Sequence, residues 1–119
     1  MLRKRVNAMK TNELIFNAQN AEHNYRITVI ERKSESRTDY FETLFLSVVC
    51  NTCMNAHFHY VAFKDNNYFV AENADVSLID LINENYDFQQ EHKQVDYQTY
   101  ADKKADILDA ITKFKAIAI

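Results

Sequence analysis

The 119-residue chain contains neither glycine nor proline. At ordinary usage of about 7% and 5%, a chain of this length carries roughly eight and six. Every turn must therefore be made by residues that carry a Cβ, and loops that cradle phosphate on bare backbone cannot form. The P-loop, the dinucleotide fingerprint and the nucleophile elbow are excluded for this reason. Asparagine, the next-best residue at positive φ, takes over the turns, and Asn20, Asn24, Asn66, Asn67 and Asn73 lie where breaks are expected. An AT-rich genome explains part of the depletion, but the alanines at 101, 105, 110, 116 and 118 are GC-coded.

With 47% hydrophobic and 26% charged residues, the chain reads as one globular domain able to bury its own core. No apolar run approaches the roughly 18 residues of a membrane span. The opening MLRKRVNAMK is basic without an apolar stretch behind it, unlike a secretory signal. Cys50 and Cys53 are too few and too close for a disulfide framework, which places the chain in a reducing cytoplasm, its own or a host's. Residues 1–12 are expected to form a flexible basic segment and 13–119 a single domain. Met9 is an alternative start that would take the net charge from −3 to −6 by removing Arg3, Lys4 and Arg5.

Two strands, Glu13–Phe16 and Tyr25–Ile30, are joined by a turn over Asn17–Asn24; the second alternates cleanly between faces. Phe41, Leu44, Phe45, Val48 and Val49 fall at helical spacing behind a Thr38 cap, which predicts a helix over 39–50, although Leu44–Val49 is also β-prone. Ala56–Phe63 and Tyr68–Ala71 read as a hairpin turning at Lys64–Asn67. Ser77 caps a further helix with Leu78, Ile79, Ile82 and Tyr86 inward, and Asp96 caps a long one over 97–116. The latter's apolar stripe is read as Tyr97, Tyr100, Ala101, Ala105, Leu108, Ile111 and Phe114. The predicted architecture is α+β, order ββαββαα: a small antiparallel sheet of two hairpins covered on one face by helices. The apolar tail Ile117–Ile119 is expected to dock on its own sheet or on a second subunit.

Charge is segregated along the chain. Residues 1–38 hold eight bases against four acids, whereas 72–109 hold ten acids against three bases. Asp80, Glu84 and Asp87 share one helix face at i, i+4, i+7, and Asp102, Asp106 and Asp109 repeat the pattern. Two such stripes make an anionic surface suited to a partner with a basic surface. Phe58 and Tyr60, on one face of a strand whose other face carries His57, His59, Val61 and Phe63, are candidate contacts for that partner or for a second copy of the chain.

Cys50-x-x-Cys53-x-x-x-His57-x-His59 is the one stretch with ligand-like composition. All four groups fall within ten residues, tighter than finger spacing, and the cysteines are expected to finish core packing, with the histidines on the surface. The reading therefore assigns no cofactor, with zinc on Cys50, Cys53, His57 and His59 as the exception to test. His23 and His92 are expected in solvent-exposed loops. The function expected from these features is a non-catalytic protein-binding module, of the inhibitor or immunity type found in phages and mobile elements, using an acidic helical face. The alternatives are nucleic-acid binding through the basic N-terminal strands, and a Cys/His-dependent enzyme or zinc domain.

Overall fold

Among the described residues, six strands follow one another across a single antiparallel sheet, each hydrogen-bonded to the next in the chain. The computed structural model describes residues 9–34, 40–77 and 92–119. The strands are β1 (Met9–Gln19), β2 (Asn24–Ser34), β3 (Phe41–Cys50), β4 (Asn55–Lys64), β5 (Asn67–Ser77) and β6 (Lys93–Val95). Helix α1 (Tyr97–Ala116) packs across one face. Leu14 pairs with Val29, Val29 with Leu46, Leu46 with His59 and His59 with Glu72; the ladders are unbroken from β1 to β4, and the β4–β5 register shifts once, between Ala56 and Phe58. Ile27, Leu44, Leu46, Val48 and Val61 rise from this face to meet Tyr100, Ile107 and Ile111 of α1. Each such fully buried aliphatic side chain contributes about 1.5–3 kcal/mol.

The expected order ββαββαα is overturned: among the described residues the protein is a six-stranded sheet with one C-terminal helix. The largest difference is residues 41–50, which form β3 in place of a helix. Both faces of β3 are covered. Leu44, Leu46, Val48 and Cys50 are buried on one side, and Ser47 is buried on the other between half-buried Phe45 and Val49. A strand covered on both faces is apolar nearly throughout, and such a run contains the i, i+3, i+4, i+7 spacing by default. The helix expected after Ser77, with Leu78, Ile79, Ile82, Tyr86, Asp80, Glu84 and Asp87, lies outside the described residues; Ser77 itself ends β5. The Thr38 cap lies outside them as well.

The two hairpins and the final helix agree with the sequence reading. The β4–β5 turn puts Asp65 and Asn66 at φ 53° and 61°, the pair of positive values a two-residue hairpin loop requires. Asp96 caps α1, its carboxylate accepting from the Thr99 N–H at 2.8 Å. The apolar tail docks on its own sheet, with the Gln19 N–H donating to the Ile117 carbonyl and the Ile119 N–H to that of Asn17. The inward stripe of α1, however, runs through Ile107, while Leu108 is 47% exposed. No helix among the described residues is long and apolar enough to cross a membrane.

Candidate functional site

In a chain-order antiparallel sheet the first and third hairpin turns fall at the same end. The β1–β2 turn is built by Asn20, whose side-chain oxygen accepts from the N–H groups of Glu22 and His23 at 2.9 and 2.8 Å. The β3–β4 turn carries Cys53 and closes with the Met54 N–H donating to the Cys50 carbonyl at 2.9 Å, Met54 taking the left-handed φ of 61°. The Asn51 N–H donates to the Asn24 carbonyl and joins the two turns directly. Tyr25 pairs with Cys50 across β2 and β3, so His23, two residues before Tyr25, arrives beside Cys53.

The result is a compact group of three ligand-type side chains. His23 Nδ1, Cys50 Sγ and Cys53 Sγ all lie within 4.8 Å of one another. Cys53 Sγ stands 3.6 Å from His23 Nδ1, and the Thr52 hydroxyl lies 3.0 Å from that nitrogen and 3.3 Å from Cys50 Sγ. The Cys53 N–H donates to Cys50 Sγ at 3.1 Å. Burial opposes ionisation of Cys50, but the hydrogen bonds from Cys53 and Thr52 outweigh it and hold its thiol below the ordinary value. Cys53 is pushed up in turn, first by its hydrogen bond to Cys50. Of the two, Cys50 carries the thiolate more readily.

This group borders a cavity of about 350 Å³ between the sheet and the C-terminal half of α1. Tyr25, Leu46, Val48, Ala110 and Phe114 give it apolar walls, with His57, His59 and Asn55 as polar lining. On its β5 side the Lys103 ammonium reaches His59 Nδ1 at 3.1 Å and the Glu72 carboxylate. His59 is held below its ordinary value of 6.5, first by desolvation and then by Lys103. Glu72 is held down chiefly by its hydrogen bond from Lys103.

Both shifts give the same pH dependence. A histidine that protonates less readily folded than unfolded loses stability as pH falls below its unfolded value, because the unfolded chain takes up the proton first. A depressed carboxylate adds a second loss as pH falls below the ordinary carboxylate range. The urea midpoint is therefore expected to fall between about pH 7.5 and 5.5, and His59→Gln to reduce that slope. Equal slopes in the two proteins would remove His59 from the account.

Cys50 and Cys53 meet at the turn, but the histidine beside them is His23, whereas His57 and His59 line the neighbouring cavity. Asp102, Asp106 and Asp109 are exposed on the outer face of α1, opposite Tyr100, Ile107 and Ile111. Asp102 accepts from the Gln98 amide at 2.8 Å and Asp109 pairs with Lys113 at 2.9 Å. Asp80, Glu84 and Asp87 lie outside the described residues. Phe58 is buried on the sheet face away from α1, its ring 5.7 Å from that of Phe45, and Tyr60 is half-buried and stacked on His92 at 4.7 Å.

His23 and His92 are thus not free loop side chains, and Lys103 is an inward one. The signal for His23 was present in the spacing of the turns, but it becomes legible only when residues 41–50 are read as a strand. No family model, curated protein or solved structure matches this chain.

Proposed function

We propose that this chain is a protein-binding module that captures an extended segment of its partner on the outer edge of β1. The observation that carries the reading is the state of that edge. Its far end already carries the C-terminal tail as a single β-bridge between Ala18 and Ala118, in which Asn17 and Gln19 exchange backbone hydrogen bonds with Ile119 and Ile117. By the same alternation, the N–H and C=O groups of Thr11, Glu13 and Ile15 point outward, and they have no strand partner among the described residues. Leu14 and Ile15, 40% and 47% exposed, offer apolar contact on the two faces of the strand. Strand addition draws affinity from main-chain hydrogen bonds and selectivity from alternate side chains, and an unprotected edge is otherwise a liability. The acidic outer face of α1 supports a partner with basic character, through steering rather than contact energy. An inhibitor or immunity-type role is the finer form of this proposal.

Selection from a displayed library of random peptides tests it. Extended, β-prone sequences should be enriched by the native chain and lost with Glu13→Pro, which removes an outward N–H that β2 does not use. Ile15→Lys should weaken the same peptides at least tenfold. Retention of the selected peptides by both variants would count decisively against the β1 edge. If instead only Asp102→Asn/Asp106→Asn/Asp109→Asn weakens binding, the helical face is the contact surface.

A further inference from the structure

We propose that His23 Nδ1, Cys50 Sγ and Cys53 Sγ bind one zinc ion that clamps the β1–β2 turn to the β3–β4 turn, its fourth coordination position opening onto the cavity. The site is separate from the β1 edge: its donors sit on two hairpin turns at one end of the sheet, with Cys50 buried, His23 half-buried and Cys53 exposed. The donor set is the first argument. Two thiols and an imidazole select borderline-soft cations over magnesium or calcium, which take oxygen ligands.

Geometry is the second. With Zn–S of about 2.3 Å and Zn–N of about 2.0–2.1 Å, a tetrahedral ion sets sulfur and nitrogen ligands about 3.6 Å apart and two sulfurs about 3.8 Å apart. Cys53 Sγ and His23 Nδ1 stand 3.6 Å apart, and all three donors fall within 4.8 Å of one another. Binding therefore needs only a small side-chain adjustment.

The surroundings are the third argument. The Cys53 N–H and the Thr52 hydroxyl both sit on Cys50 Sγ, the outer-shell arrangement that orients a thiolate and moderates its charge. On binding, the Thr52 hydroxyl gives up His23 Nδ1 and keeps Cys50. The C-x-x-C turn is held by Met54 at φ 61°, an unfavourable conformation for a side chain with a Cβ, and such strain collects at ligand sites. In the binding step two sulfur–zinc bonds and one nitrogen–zinc bond form. The thiol protons pass to buffer, zinc sheds water, and nothing is oxidised. Three protein ligands leave one position for water, as in sites that exchange ligands.

The sequence spacing alone pointed to His57 and His59 as partners of the cysteines. The fold substitutes a histidine from a different hairpin and so meets the requirement that ligands converge from two elements.

Equilibrium dialysis of reduced, untagged protein against zinc tests the site, with cobalt as a spectroscopic probe of tetrahedral thiolate coordination. One ion per chain is expected, with proton release and a higher melting temperature on loading. Cys53→Ser and His23→Ala, both on turns, should keep the native circular dichroism and weaken binding roughly a hundredfold or more, since even outer-shell changes cost 10–100-fold. His57→Ala should leave the affinity unchanged. Less than one zinc per two chains, no loss in Cys53→Ser or His23→Ala, or an equal loss in His57→Ala would each overturn the proposal.

Discussion

Replacing Leu46 with alanine is expected to destabilise the protein by about 2–5 kcal/mol, a large part of the 5–15 kcal/mol that holds a typical domain together. Leu46 is 1% exposed at the centre of β3, between Val29 on β2 and His59 on β4. It also walls the cavity, so its truncation enlarges an existing void that the sheet, pinned by continuous ladders on both sides, cannot close. That places the cost toward the upper part of the range, because the penalty grows with the volume left behind. Urea unfolding followed by circular dichroism gives the number. The substitution also discriminates between architectures. In the helix first read over 39–50, Leu46 lies off the stripe of Leu44, Phe45, Val48 and Val49, and its loss there would cost little. A change below about 0.5 kcal/mol, the size of a surface substitution, is incompatible with β3.

Ile107→Ala and Leu108→Ala should differ sharply although they are adjacent. Ile107 is 2% exposed and packs into the core under α1, whereas Leu108 is 47% exposed. The first is expected to cost about 2–5 kcal/mol and the second no more than about 0.5 kcal/mol, alanine being the better helix former at an exposed position. Melting temperatures measured side by side suffice, since a loss near 3 kcal/mol lowers the midpoint by roughly 10 °C in a domain of this size. Comparable losses from the two substitutions would mean that the helix is rotated about its axis relative to the arrangement described.

These two residues also show where sequence reasoning reaches and where it stops. The long helix is legible from its Asp96 cap and apolar spacing, and Tyr100, Ile111 and Phe114 of the expected stripe do face the core, but Tyr97, Ala105 and Leu108 are exposed while Ile107 and Lys103 take inward places. Charged residues argue for an outward face, yet the Lys103 side chain is only 18% exposed, its ammonium satisfied by Glu72 and His59. Lys104 lays its ammonium over the Tyr100 ring at 5.9 Å. Both hairpins were readable because alternation and asparagine-rich turns are local signals. β3 was not, because burial on both faces erases alternation, and no local feature announces that a sheet continues on each side.

The candidate site followed the same logic. Cys50 and Cys53 stand together in sequence and could be singled out at once. His23 enters only through the registers Ala18–Tyr25 and Tyr25–Cys50, a property of three strands together. One misread strand was enough to hide it.

Among the described residues, each strand from β1 to β5 pairs with the next strand in the chain. Assembly can therefore proceed by accretion, each new ribbon templated on the one just laid down, with little entropy spent on closing long loops. The steps that span great sequence distance are the settling of α1 across the sheet and the union of Ala18 with Ala118. Until those distant contacts close, the apolar face of the sheet and the β1 edge stay open to wrong association.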